Sequence, residues 1–121
     1  MQIINISGVG FTLDAKTRTY IEKKVMKLID YIPRHARKSA SAEVIVKQDD
    51  ARGADNLACT MILNLPNKQL VVKEVRDGVL AAVDSAESKI TGQIRRYKDE
   101  LIRSRESEGI LSRAKHILLR R

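Results

Sequence analysis

The chain has a single cysteine, Cys59, among its 121 residues. A lone thiol excludes an intramolecular disulfide and any multi-cysteine zinc site, and it fits a reducing compartment, so the cytoplasm is the expected location. Tryptophan is absent, and the aromatics are only Phe11, Tyr20, Tyr31 and Tyr97. That is too few for a platform on which successive bases stack, so single-strand recognition of that kind is not expected. The two histidines, His35 and His116, stand far apart, and there is no HExxH or paired CxxC spacing. No segment approaches the ~20 apolar residues of a membrane span, and the start, Met1-Gln2-Ile3, lacks the charged region and apolar run of a signal peptide. Asp49, Asp50 and Asp55 lack the terminal Glu of a calcium loop, which leaves a hairpin-loop reading. Gly8-Val9-Gly10 lacks both the third glycine of a dinucleotide fingerprint and the lysine of a P-loop. Without convergent acid, base or nucleophile, no enzyme is expected, and with it no metal, cofactor or small-molecule substrate.

What the chain does have is positive charge, unevenly placed. The formal net charge is +8, and residues 89 to 121 hold ten Lys/Arg against four Asp/Glu, which accounts for +6 of it. Such asymmetry points to a polyanionic partner, with nucleic acid ahead of an acidic membrane surface.

Hydrophobic periodicity gives the organisation of one domain, large enough to bury roughly two-thirds of its unfolded surface. Ile3 to Ser7 is β-branched and punctuated by Gly8 and Gly10, a strand and a turn. Asp14 is placed to cap a helix over about Ala15 to Ile32, stopped by Pro33, with Tyr20, Ile21, Val25, Leu28 and Ile32 on one face. After the basic connection 34–41, Ala42 to Lys47 alternates as a second strand. The polar stretch 48–56 joins it to Leu57–Leu65, a third strand, with Cys59 on its apolar face. Pro66-Asn67-Lys68 forms a tight turn, Gln69 to Val75 a fourth strand, and Asp77 is placed to cap a helix over about Gly78 to Arg103. The core face of that helix runs through Leu80, Val83, Ile90, Ile94, Tyr97 and Leu101.

The order β-α-β-β-β-α implies an α+β domain. A right-handed crossover makes the first two strands parallel, short loops make the rest antiparallel, and both helices cover one face of a four-stranded sheet, pointing the same way. Lys16, Lys23 and Lys27 with Arg34 form one cationic stripe, Lys24 near its edge. Lys89, Arg96 and Arg103, with Arg95, Lys98 and Arg105 alongside, form another, and the two are expected to face outward as parallel rails. The expected domain spans residues 1–105. The remainder, 106–121, restarts after Gly109 with Ile110, Leu111, Ala114, Ile117 and Leu118 at helical spacing. Such a basic amphipathic tail fits a short helix folded back on the domain or fraying free, a partner-binding helix or a surface-seeking one.

Several segments resemble a known family. Met1-Gln2-Ile3, Ile6-Ser7-Gly8, Tyr20-Ile21-Glu22-Lys23-Lys24-Val25 and Lys27-Leu28 look like that family's MQI, I-T-G and Y-V-E-K-K-L-x-K-L. Ala81-Ala82-Val83-Asp84 looks like its A-A-I-D, and Lys89-Ile90 with Gln93-Ile94-Arg95-Arg96-Tyr97-Lys98 resembles its K-L-x-x-Q-I-R-K-Y-K. In this order and spacing, across nearly all of residues 1 to 103, the sequence resembles the bacterial ribosome hibernation-promoting factors, also called ribosome-associated inhibitor A or sigma-54 modulation proteins, in their short form. It departs from them at Leu80, where the family has an aromatic, and at Gly78 and Gly92, where it has polar or charged residues.

The resemblance implies a translation inhibitor of stationary phase or stress. Its partner would be the small ribosomal subunit with its ribosomal RNA, bound in the decoding region where messenger and transfer RNA would sit. Family match and exposed position together select Lys23, Lys24, Lys27, Lys89, Arg95, Arg96 and Lys98 as RNA contacts. Lys16, Arg34, Arg37, Lys38 and Arg103 join them on charge alone. Two other classes compete: a general double-stranded RNA-binding module, which the same helix-on-sheet surface would suit, and an interaction protein acting through its tail.

Overall fold

The computed structural model describes residues 2–10, 12–49 and 56–119, with side chains except at residue 4 and from 104 on. Four strands, β1 (Gln2–Val9), β2 (Ser41–Gln48), β3 (Leu57–Leu65) and β4 (Lys68–Arg76), lie in the order β1-β2-β3-β4. The first pair is parallel and the other two are antiparallel. Between β1 and β2 come α1 (Ala15–Lys27), a 3₁₀ turn (Leu28–Tyr31) and a short α2 (Arg34–Arg37). After β4 the chain ends in α3 (Val79–Leu119). The expected α+β layering is the observed one.

Period-two alternation explains which face is covered. Ala42, Val44 and Val46 of β2, Cys59, Met61, Leu63 and Leu65 of β3, and Leu70 and Val72 of β4 all point to the core, since successive strand residues face opposite sides. Register aligns them in rows, such as Ile6, Val44, Met61 and Val72. On this face α1 lies over β1 and α3 over β3 and β4. Ile21, Val25, Leu28 and Ile32 come down from one helix and its turn, and Ala82, Val83, Ala86, Ile90, Ile94 and Tyr97 from the other. The Cys59 thiol is fully buried, and desolvation pushes its pKa up to about 12. It packs there as a small apolar group.

Element ends follow local chemistry. Asp14 caps α1, its carboxylate accepting from the Thr17 amide at 2.7 Å. The first helix is shorter than expected: α-geometry ends at Lys27 and tightens to 3₁₀ through Tyr31, because Ile32 precedes Pro33 and is driven to an extended ψ of 135°. Pro33 then starts a new helical turn within the stretch read as an irregular connection. In the β3–β4 turn Asn67 takes φ 61° after Pro66, the φ signs of a type II turn. At the start of α3 the Gly78 carbonyl accepts from the Ala82 amide at 3.0 Å, so Gly78, not Asp77, occupies the cap position. Leu80, expected in the core, is 50% exposed because the first turn puts Val79 against the sheet instead.

The largest difference is the length of α3. Its backbone stays helical from Val79 to Leu119, through Arg103 and Gly109 where sequence reading placed an end and a restart. Forty-one residues at ~1.5 Å each make about 60 Å, twice the ~30 Å of a nine-residue strand. The apolar side chains of 110–118, the loop acids Asp50 and Asp55, and Phe11 lie outside the described residues.

Candidate nucleic-acid interface

The two long helices run in the same direction. Tyr20 meets Asp84, Lys24 four residues on meets Glu87, and further along Pro33 and His35 approach Lys98, Leu101 and Ile102. A groove therefore follows the α1–α3 seam, and its two halves differ in charge.

The N-terminal half is neutralised. Lys24 lies half-buried, 3.3 Å from Asp84 and 3.4 Å from Glu87. Its ammonium sits 5.5 Å from the centroid of the Tyr20 ring. The Tyr20 hydroxyl donates to Asp84 at 2.5 Å. The hydrogen bond to Asp84 and then the charge of Glu87 hold the Lys24 pKa above its ordinary value. The same Asp84 bond, with some burial, raises that of Tyr20. This cluster joins α1 to α3 and uses one of the cations that the sequence assigned to RNA.

The remaining candidates divide by surroundings. Lys16, Lys23 and Lys27 stand exposed on α1, and Arg34 begins the short helix that Lys38 follows, both exposed. Arg37 turns back instead: its Nε donates to the Ile32 carbonyl at 3.0 Å and Nη2 reaches the Asp30 carbonyl at 3.5 Å, tying the end of the 3₁₀ turn to α2. On α3, Arg95 and Arg103 are exposed and Lys98 is half-buried on the side of α1. Arg96 leans the other way, over a cleft of about 390 Å³ against Lys68, Gln69 and Val71 of β4. Lys89 also turns to that flank, where its ammonium meets the Glu74 carboxylate at 2.5 Å.

Side-by-side rails are therefore not what forms. A heptad drifts backwards by about 20° on a straight helix, and the Lys89–Arg96–Arg103 line starts on the β4 side of the crest. The cations of α3 straddle the crest, Arg95 and Lys98 toward α1, Arg96 and Lys89 toward β4. Among the described residues, Lys16, Lys23, Lys27, Arg34, Lys38, Arg95, Arg96, Lys98 and Arg103 form no ion pair. Seven of these nine, from Lys27 to Lys38 and from Arg95 to Arg103, lie toward the C-terminal end of the seam.

Sequence reading missed Glu74. It follows Leu70 and Val72 at period two, so it points inward, in one row with Val46 and Cys59, and it is 5% exposed. A buried carboxylate needs cations. Lys89 supplies one and Arg76 the other, Nη1 to Oε2 at 3.4 Å, while Arg76 Nη2 also donates to the Ser85 hydroxyl at 2.9 Å. The Lys89 hydrogen bond and then the charges of Lys89 and Arg76 hold the Glu74 pKa below its ordinary value against the opposing effect of burial. The signal was available: an acid at the third inward position of a strand.

No group of three or more metal-ligating side chains occurs among the described residues, and no helix among them is long and apolar enough to cross a membrane.

Comparison with known proteins gives one family and one fold. A family model described as sigma 54 modulation protein / S30EA ribosomal protein matches residues 4–102. Among solved structures, the N-terminal domain of Protein Y from Thermus thermophilus is similar at a TM-score of 0.68 and 23% identity, over 80% of this chain and 99% of that one. A ribosomal subunit interface protein from Coxiella burnetii is similar at a TM-score of 0.65 and 20% identity, over 82% and 99%. At these identities the structural likeness concerns the fold.

Proposed function

Since the chain belongs to the sigma 54 modulation protein / S30EA ribosomal protein family, we propose that it is a cytoplasmic ribosome-binding inhibitor of translation that acts under stress or in stationary phase. It occupies the decoding region of the small subunit, lays its basic helix surface on ribosomal RNA, and fills the space that messenger and transfer RNA need. The observation that carries this reading is the family match over residues 4–102 on a surface whose unpaired cations gather at one end of the α1–α3 seam. Phosphate contacts position a protein on RNA without reading bases, which suits inhibition by occupancy.

Lys16, Lys23, Lys27, Arg34, Lys38, Arg95, Arg96, Lys98 and Arg103 serve as the phosphate contacts. Lys24, Lys89 and Arg37 hold the helices and turns that present them. The unit comprising residues 1–105 carries the activity, and 106–121 extends it.

The test is co-sedimentation with purified small subunits together with protein synthesis in a cell-free extract. The full chain is expected to travel with the subunits and to stop synthesis at saturation. Binding arbitrary duplex RNA as tightly as small subunits would mean a general double-stranded RNA-binding module instead.

A further inference from the structure

At the basic end of the seam lies a cavity of about 220 Å³ lined by Pro33, His35, Lys98, Leu101 and Ile102. This is below the ~300–1,000 Å³ of pockets for drug-sized molecules, a size suited to one ring system. Its floor is apolar: Pro33 and Leu101 are half-buried, and Ile102 is 56% exposed with no described neighbour covering it. Lys98 and His35 complete its lining, and Arg34 adjoins it along the chain. Among the described residues no carboxylate lines it; Asp84 and Glu87, in the other half of the seam, are engaged with Lys24.

We propose that this cavity is a single-nucleotide site: one unstacked base of an RNA strand seats on Pro33, Leu101 and Ile102 against the His35 ring, and its phosphate is held by Lys98 and Arg34. The proposal rests on the RNA-binding reading above and adds to it a contact that is not phosphate alone. Charge decides the occupant. An apolar hollow with a lysine in its lining and no acid among the described lining residues complements a group that is flat and apolar on one side and anionic on the other, which describes a nucleotide. Unpaired bases splay out onto imidazole or aromatic planes, whereas duplex bases remain stacked and out of reach. His35 is exposed and forms no hydrogen bond among the described residues, so it is free to take up that position.

The experiment is a titration of the isotope-labelled full chain, followed by NMR, with single-stranded hexaadenylate, a twelve-base-pair RNA duplex, adenosine monophosphate and inorganic phosphate. Hexaadenylate is expected to shift the His35 ring and the Leu101 and Ile102 methyl signals. The duplex and inorganic phosphate are expected to leave them in place. His35→Ala should weaken hexaadenylate binding by about tenfold, as loss of one base stack does, and His35→Phe should restore it. Equal shifts with duplex, or shifts confined to lysine signals, overturn the site. Adenosine monophosphate binding as tightly as hexaadenylate overturns the RNA-strand assignment in favour of a free nucleotide. Co-sedimentation of the wild-type chain with small subunits is scored separately. If it travels with them while hexaadenylate leaves His35 unmoved, the site falls and the ribosome reading stands. If His35 responds and the chain does not travel, the reverse holds.

Discussion

Glu74 and Lys24 show how much a single charge depends on its surroundings. The Glu74 carboxylate sits in a row of core side chains and is tolerable there only because Lys89 and Arg76 reach it from the edge of α3 and the end of β4. Lys89→Met removes the nearer cation and leaves an ionised acceptor largely desolvated. By the cost of an unsatisfied buried group, the variant should lose about 1–3 kcal/mol in urea unfolding. Adding Glu74→Leu should recover most of that, since apolar replacement of both partners of a buried pair is often neutral or stabilising. A double variant as unstable as the single one would show that the ion pair is not what Lys89 contributes. The pH dependence has a definite sign. A carboxylate whose pKa is lowered by folding contributes stability above its ordinary range, near 4.5, and that contribution is lost as pH falls through the folded value.

At the scale of elements, α3 gives the fold its reach and holds its plainest flaw. Gly92 lies mid-helix, and a methyl group built there meets nothing within 4 Å. Gly92→Ala should therefore stabilise the domain by about 1 kcal/mol, the helix-propensity difference, with the α1–α3 seam unchanged. A shift of the urea midpoint is the measurement, and no gain would mean that the glycine relieves a constraint in the helix. The order and pairing of the elements were legible in the sequence because the apolar periods switch cleanly between two and 3.6. Asp14 was legible as a cap for the same local reason. Boundaries were harder. Ile32–Pro33 was readable as a stop, but the tightening from Leu28 was not, because both 3₁₀ and α geometry bury Leu28 and Ile32. Gly109 looked like a break because glycine disfavours helix interiors, yet the backbone runs through it, and propensity is a weak prior.

At the scale of the whole molecule, composition indicated a polyanionic partner, and the basic residues were correctly located on α1, α3 and the connection after Pro33. Which of them are unpaired could not be read, because Lys24, Arg37 and Lys89 find their acids and carbonyls through tertiary contacts that periodicity does not encode. His35 was passed over for a similar reason: in sequence it belongs to a polar connection, and only the fold brings it to the same cavity as Lys98. This division of the cations has a measurable consequence. For RNA binding the log–log slope of affinity against salt counts neutralised phosphates at roughly 0.7 to 0.9 each. Lys27→Gln should lower affinity for small subunits and reduce that slope by about one such step. Lys24→Gln removes the same formal charge but is expected to leave the slope unchanged, because its ammonium is spent on Asp84 and Glu87. Affinity should still fall, since two carboxylates are then left uncompensated beside the RNA. Equal slope changes for the two variants would mean that Lys24 leaves its acids for a phosphate on binding, and that the seam opens at its N-terminal half when RNA arrives.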